Sequence, residues 1–315
     1  ELKFVTEQEF IRLQHFTTGL WVRTEQAEES IGLEKERLNG IRLALEPKPA
    51  THDALLMGHV KAEMQRNVLF LFHNGEFLRR YREAFSDASM VGAENFNMET
   101  FNVVVKCAAD ALACLIRFCS ESDDLNPLTR EGLPIAEHQR MMFDLQFHRI
   151  VFDVLVAPFV EGDRSTHLPS LPFEGGVIDI ARLLEPQYSQ VHTVCRLCYR
   201  LLKQMIRGTP SLSTFLVDYI PFMYYQDGLK LHVADTMMEI FTCNPNMPAA
   251  TYASAVDHYV NLLKSKSRSS GYIKFLATMS CVDNKTPIPA NQYLVCKNLL
   301  TENPQTMLKI ILMED

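Results

Sequence analysis

The chain has 315 residues, of which 47% are hydrophobic and 22% are charged, so it can bury a core and is not a disordered protein. Its formal net charge of −7 argues against broad nucleic-acid binding, which requires a basic surface. No stretch reaches the roughly 18 consecutive apolar residues of a membrane span, and no signal peptide pattern stands at the start. The 8 cysteines lie mostly in apolar helical contexts, which is typical of reduced thiols in a cytosolic protein. The chain starts at Glu1 and stops at Asp315 directly after an apolar run, which predicts a segment of a longer protein.

The first 25 residues have the pattern of a β-hairpin. Residues 9–16 alternate apolar and polar side chains, Thr17-Thr18-Gly19 is a turn signal, and Leu20-Trp21-Val22 resumes a strand. A second short β stretch is predicted from Ile41 to Leu45. Two strands alone are not stable in water, so the hairpin needs a partner sheet that this chain barely supplies.

After Thr51 the apolar residues recur at spacings of three and four, which predicts helices. The predicted elements up to Leu184 are a helix from Val60 to Phe85 with a break near Asn74-Gly75, a helix from Glu99 to Cys119, a polar linker from Ser120 to Gly132, a helix from Ile135 to Phe159, a loop from Glu161 to Glu174 and a short helix from Gly176 to Leu184.

From Tyr188 onward the predicted helices are shorter and more regular. They are expected at 188–206, 211–225, 230–242, 249–265, 271–281, 290–300 and 304–313. Helix pairs recur about every 40 residues, close to the armadillo or HEAT period. Because one such repeat cannot bury its own apolar face, neighbours must stack, which predicts an all-α, armadillo/HEAT-like solenoid with a concave surface. This architecture binds partners more often than it catalyses reactions, although a fold alone does not settle function.

One group of candidate metal ligands lies near the start of this region. Cys195 and Cys198 form a CxxC, and His192 precedes them by one turn. Zinc needs four ligands, and a redox CxxC lies at a strand-to-helix turn, not in the middle of a helix. We therefore interpret these residues as small side chains packed on a helix face.

Two charged groups have equally plain interpretations. We interpret Asp123-Asp124 as a solvated turn and not as an acid–base pair. We interpret the basic run of Lys264, Lys266 and Arg268 as a solvated loop and not as a phosphate site. The sequence contains no HExxH, GxSxG, Walker, GxGxxG or EF-hand motif, and nothing assembles a nucleophile, a base and an orienting group. We therefore predict no enzyme activity and no cofactor.

Two regions resemble the inositol trisphosphate receptor and ryanodine receptor family. Residues 215–296 resemble the helical RIH domain of that family, and the segment from Leu13 to Val22 resembles the last repeat of the MIR-type β-trefoil that precedes it. The runs that carry the helical resemblance are Cys195 to Leu202, Phe222-Met223, Ala234-Asp235-Thr236 and Ile288 to Lys297, of which the last is the most specific.

The resemblance implies a division of the chain into three parts. Residues 1–50 would be the end of a β-trefoil with a linker, 51–187 a helical region that includes an arm helix, and 188–315 the armadillo-like repeats. It also implies a cytosolic amino-terminal regulatory module of a tetrameric calcium-release channel, on the cytosolic face of the endoplasmic or sarcoplasmic reticulum. The expected partners are neighbouring domains and subunits, with no direct membrane insertion by this segment and no nucleic acid.

In the inositol trisphosphate branch, a basic helix and a Tyr-Arg-Lys run hold the ligand phosphates. Each phosphate carries about −1.5 to −2 charge, so several cations must converge, and arginine is favoured for bidentate contacts. The three helix positions fall here on Ala136, Arg140 and Phe143, so only Arg140 keeps the charge. The Tyr-Arg-Lys run falls on 209–211, which is Thr-Pro-Ser and carries no charge.

Lys203 and Arg207 lie one or two turns upstream of that run and could partly replace it. We therefore predict Arg140, Lys203 and Arg207 as candidate inositol phosphate ligands, and we expect weak or no inositol trisphosphate binding. The alternative hypothesis is a free-standing helical-repeat scaffold that binds a protein partner. The full gene distinguishes the two, because a channel requires membrane spans downstream.

Overall fold

A computed structural model describes nine stretches of the chain. They are residues 10–15, 17–31, 36–49, 54–56, 60–91, 98–160, 176–265, 270–282 and 286–304. The chain divides into two compact units, residues 1–70 and 71–315.

The first unit contains two antiparallel strand pairs. Strand β1 (Phe10–Ile11) pairs with β4 (Leu55–Leu56), and β2 (Trp21–Ile31) pairs along its whole length with β3 (Glu36–Glu46). The predicted β stretch from Ile41 to Leu45 is confirmed, since it lies within β3.

The predicted turn at Thr17-Thr18-Gly19 is present. Gly19 has a left-handed φ of 68°, and its N–H donates to the carbonyl of His15 at 2.9 Å. Gln14 then forms a bridge with Trp21. The prediction that residues 9–16 form one strand of a hairpin with 20–22 was only partly right, because β1 pairs with β4. Glu9 and Phe16 lie outside the described residues.

The regular secondary structure among the described residues of the second unit is helical apart from two pairs of two-residue strands. The eleven α-helices, the first of which starts before the unit boundary, are α1 (Ala62–Val91), α2 (Met98–Cys119), α3 (Ala136–Asp144), α4 (Phe147–Val156), α5 (Ser189–Ile206), α6 (Pro210–Ser213), α7 (Ile220–Gln226), α8 (Val233–Cys243), α9 (Ala249–Ser265), α10 (Ser270–Ser280) and α11 (Pro289–Cys296). The strand pairs are β5 (Ser120–Glu121) with β6 (Leu133–Pro134) and β7 (Cys281–Val282) with β8 (Thr286–Pro287).

The break predicted near Asn74-Gly75 was wrong, because α1 continues through it. A Cβ atom on Gly75 would lie 3.3 Å from the Phe147 ring, so the glycine permits close approach of this ring to the helix. The single helix predicted from Ile135 to Phe159 was also wrong, since it is two helices. Gln146 between them has a left-handed φ of 57°, and its N–H turns back to the carbonyl of Phe143.

Three other predicted helices differ from those observed. Residues 176–184 contain only a 3-10 turn, Ile180–Arg182, started by the Asp179 carboxylate, which accepts from the N–H of Ala181. Residues 211–225 are split by the 3-10 segment Thr214–Tyr219, and the helix at 290–300 changes at Lys297 to a π-helix. The predicted loop at 161–174 and almost all of the predicted helix at 304–313 lie outside the described residues.

The helices of the second unit stack in succession around α5. This helix packs against α2, α3, α4 and α8, then α8 packs against α10, and α10 packs against α9 and α11. Fully buried aromatic side chains fill the spaces between them, among them Tyr199, Tyr259 and Phe275. The predicted all-α fold with a short N-terminal β element is confirmed. Among the described residues, no helix has both the length and the apolar character needed to cross a bilayer.

Candidate functional site

Three cations lie along one side of α5 and its C-terminal end. Arg200 and Lys203 belong to the helix, and Arg207 is the residue that caps it. Their spacing of three and four residues places them on one helix face. The rest of α5 is largely apolar and buried, so this face is where the helix carries its charge.

The loop between β5 and β6 supplies a carboxylate to these cations. Arg130 is buried and folds the loop, since its guanidinium donates to the Ser120 carbonyl at 2.7 Å and to the Asp124 carbonyl at 2.6 Å. Gly132 allows the two strands to close, because a Cβ there would lie 2.1 Å from the Glu121 carbonyl oxygen. Glu131, between these two residues, is thereby held facing α5.

All three cations contact the Glu131 carboxylate directly. Arg200 Nη2 lies 2.7 Å and Lys203 Nζ 2.8 Å from the same oxygen, Oε1, while Arg207 Nη1 lies 2.7 Å from Oε2. The side chain of Glu131 is 44% exposed, whereas those of Arg200 and Lys203 are 6% and 16% exposed. The carboxylate therefore lies between solvent and the cations.

Hydrogen bonds to backbone carbonyls also attach the same loop to α5. The Arg130 carbonyl accepts from Arg200 Nη2 at 2.6 Å and from Gln204 Nε2 at 2.9 Å. The Gly132 carbonyl accepts from Arg207 Nη1 at 2.9 Å. The backbone of the loop is thus bonded to α5 in addition to the Glu131 carboxylate, and Arg200 Nη2 and Arg207 Nη1 take part in both sets of contacts.

The electrostatics of the cluster favour an ionised Glu131. Burial raises the pKa of this carboxyl, but hydrogen bonds and attraction from Lys203 and Arg200 outweigh burial and hold the pKa below its usual value. A hydrogen bond with His232, and then attraction from Lys203 and Arg200, likewise lower the pKa of Asp235 on α8. Lys203 and Asp235 also line a cavity of about 280 Å³ together with Glu239. Carboxylates therefore face the cations from two sides.

The structure brings two of the three predicted ligand residues together. Lys203 and Arg207 meet at Glu131, whereas Arg140 on α3 points to solvent with its side chain 81% exposed. The ion-pair partner of Arg140 is Asp144 on its own helix, at 3.9 Å. The assignment of these residues to an inositol phosphate stays a prediction.

The uncharged run at 209–211 has a structural part in the same region. Thr209 Oγ1 donates to Gln139 Oε1 at 2.9 Å, and Gln139 Nε2 donates to the carbonyls of Gln204 and Arg207. Pro210 begins α6. These contacts fasten α3 to the end of α5.

The sequence prediction did not include Glu131 or Arg200 among the site residues. The spacing of Arg200, Lys203 and Arg207 along one helix face was a signal that could have added Arg200. No local signal marks Glu131, since it lies about 70 residues from its partners in a segment predicted as a polar linker.

The other candidate groups are packed, lie in a turn or fall outside the described residues. Cys195 and Cys198 are fully buried, burial raises the pKa of Cys195 to about 12, and His192 bonds to the Leu229 carbonyl. Asp124 is a turn residue as predicted, accepting from the N–H of Asn126. Lys266 and Arg268 lie outside the described residues. In the parts of the chain that the structure describes, no three His, Cys, Asp or Glu side chains group as metal ligands.

Comparisons with known proteins place this site inside a recognised domain. Residues 110–311, more than half of the chain, match the family model described as the RIH domain (RYDR_ITPR). The inositol 1,4,5-trisphosphate receptor-like protein A of Dictyostelium discoideum is 25% identical over 198 residues, which are 62% of this chain and 5% of that protein. The match thus spans about one-twentieth of the length of this relative.

Proposed function

The chain belongs to the RIH domain family, found in inositol trisphosphate and ryanodine receptors, and we propose that it is a cytosolic regulatory module of an intracellular calcium-release channel. The family is one of receptor and channel domains and not of enzymes. The observation that carries the proposal is the RIH match, which includes every residue of the Glu131 cluster, namely Glu131, Arg200, Lys203 and Arg207. The named relative is an inositol trisphosphate receptor-like protein, which supports the same role.

The module would act by contact with neighbouring domains and subunits of a tetrameric channel on the cytosolic face of an intracellular calcium store. Stacked helices support this role, because each successive helix exposes one face while its neighbours bury the others. A domain that contacts its neighbours differently in the closed and open states can shift the balance between them.

Inositol trisphosphate would bind this module weakly or not at all. Arg140 has no second cation beside it among its described contacts, and Lys203 and Arg207 already contact Glu131 at 2.7–2.8 Å. Phosphate binding at these residues must therefore displace an existing ion pair, which lowers the net gain in free energy.

Calorimetric titration of the 315-residue chain with inositol trisphosphate at low ionic strength tests this expectation. We expect no saturable heat, or a dissociation constant well above about 1 μM. The control is Arg140→Gln, which should leave the result unchanged. Binding tighter than about 1 μM that is lost in Arg140→Gln would contradict the proposal of weak binding.

The alternative of a free-standing scaffold gives a different expectation for the rest of the protein. A calcium-release channel requires membrane spans and a pore downstream of this region, whereas a scaffold does not. A full-length coding sequence that encodes such spans supports the channel module, and one without them supports the scaffold.

A further inference from the structure

The Glu131 cluster has more cationic donors than its carboxylate has oxygens. Three side chains converge on two atoms, so Arg200 and Lys203 share Oε1 while Arg207 alone takes Oε2. Arg200 is 6% exposed, and its Nε has no hydrogen-bond partner among the described residues. A buried guanidinium nitrogen without a partner is costly, so the cluster is not fully satisfied by the group that now occupies it.

We propose that Glu131 is an internal occupant of an anion site formed by Arg200, Lys203 and Arg207, and that this site takes a phosphate monoester when the carboxylate moves out. The proposal goes beyond the proposed function and rests on the convergence of Arg200, Lys203 and Arg207 on one carboxylate. It does not depend on the channel role of the module.

Exposure and attachment allow the carboxylate to move without unfolding the loop. Glu131 is the most exposed member of the cluster, at 44%, and it covers cations that are 6–31% exposed. The loop stays attached to α5 through the carbonyls of Arg130 and Gly132. Rotation of one side chain therefore opens the site.

A phosphate monoester suits the site better than a second carboxylate does. It has three terminal oxygens for the three cations, and it carries about −1.5 to −2 charge against −1 for Glu131. A tethered carboxylate competes at an effective concentration on the order of millimolar, so a free carboxylate of equal charge cannot displace it. Asp235 and Glu239 remain on the α8 side of Lys203 and limit the affinity.

The test compares Glu131→Gln with wild type by calorimetric titration with inorganic phosphate at low salt and pH 7.5. We expect phosphate to bind the variant at least about 10-fold more tightly, because one charge-assisted hydrogen bond to a cation is worth that much or more. Adding Lys203→Ala to Glu131→Gln should reverse the gain.

The matched control is Glu137→Gln, which removes the same charge from an exposed position on α3. We expect no gain in phosphate binding for this variant. An equal gain in both variants would show a general charge effect, and no gain in Glu131→Gln would show that the site does not exist. Either result overturns the proposal and leaves the channel proposal unaffected.

Two additions keep the test decisive. If Glu131→Gln does not fold, Glu131→Asp retains the charge but shortens the reach by one methylene, and we expect an intermediate gain; wild-type affinity would contradict the proposal. Vesicles containing phosphatidic acid present the same phosphate monoester on a lipid. Binding of inorganic phosphate but not of vesicles identifies a soluble source, and tighter binding of vesicles identifies a lipid source.

Discussion

His148 is a histidine buried among aromatic rings at the start of α4. Its ring lies 4.9 Å from that of Phe143 and 5.6 Å from that of Phe215, measured between centroids. The residue is 5% exposed, and its Nδ1 has no hydrogen-bond partner among the described residues. Burial, and then the nearby charge of Arg149, lower its pKa from 6.5 to about 3. The folded protein therefore keeps this imidazole neutral down to acidic pH.

Replacing His148 with phenylalanine should make the free energy of unfolding depend less steeply on pH below pH 6.5. Between pH 6.5 and about 3 the unfolded chain binds a proton at His148 that the folded chain does not, so stability is full above pH 6.5 and falls as pH decreases. The wild-type free energy of unfolding should fall by up to about 1.4 kcal/mol per pH unit more than that of His148→Phe. Denaturant unfolding at several pH values from 7 downwards measures this.

The control for this prediction is His73→Gln, which changes an exposed histidine of α1. Its stability curve should run parallel to that of the wild type. Parallel curves for the wild type and His148→Phe would instead show that His148 titrates normally in the folded state.

At the candidate site, the residues and their contacts were predictable to different degrees. Lys203 was proposed from its place upstream of the uncharged run at 209–211, and the cation spacing on α5 is a local property of the sequence. The pairing with Glu131 is not local, because it depends on how Gly132 and Arg130 fold a loop that precedes α5 by more than fifty residues. The residue types in the sequence and their spacing contain no information on a contact between segments so far apart in the chain.

Between elements, Asp227 and His258 join the end of α7 to α9. Asp227 Oδ2 lies 3.4 Å from His258 Nε2, and the two side chains are 5% and 20% exposed. Neither atom has a hydrogen-bond partner among the described residues. The Tyr224 ring packs on the His258 ring at 4.3 Å between centroids. The two side chains are thus largely buried against each other at the junction of α7 and α9.

A double-mutant cycle with Asp227→Asn and His258→Gln should show coupling of about 0.5–3 kcal/mol in the free energy of unfolding. Each single variant leaves the other group buried without its partner. The two single losses of stability should therefore sum to more than the loss in the double variant.

A matched exposed pair serves as the control for this cycle. Arg182 and Glu185 form an ion pair at 2.8 Å with side chains 52% and 40% exposed, for which we expect at most about 1 kcal/mol. Coupling near zero for Asp227 and His258 would contradict the prediction.

Regular helices were the elements that sequence patterns predicted best. The helices expected at 99–119 and 249–265 are present as α2 and α9, because their apolar spacing continues without interruption. The break at Leu145-Gln146 was missed, since neither residue is a glycine or a proline and no local pattern marks the left-handed φ of Gln146. The long β2–β3 hairpin was missed because Glu25 to Ser30 does not alternate apolar and polar side chains.

For the whole molecule, the buried core belongs to one of the two units. Every buried hydrophobic residue among those described lies at Leu71 or later. The RIH match also begins well inside that unit, at residue 110. The second unit therefore has what a domain needs to fold by itself.

A fragment of residues 60–315 should fold cooperatively with nearly the same thermal midpoint as the full chain. The reason is that it keeps α1 complete and removes no residue of the described core. Thermal unfolding followed by far-UV circular dichroism measures the midpoint. A decrease of more than about 5 °C, which corresponds to roughly 1–2 kcal/mol in a protein of this size, would contradict the prediction.

The aromatic residues are divided between the two units in a way that experiments can use. The single tryptophan, Trp21, lies in β2 of the first unit, whereas all 10 tyrosines lie between residues 81 and 293 in the second. Tryptophan fluorescence excited at the red edge therefore reports on the strands of the first unit alone, and the near-ultraviolet absorbance, to which the 10 tyrosines contribute, reports largely on the helices of the second unit. One unlabelled sample can thus show whether the two parts melt together or in sequence.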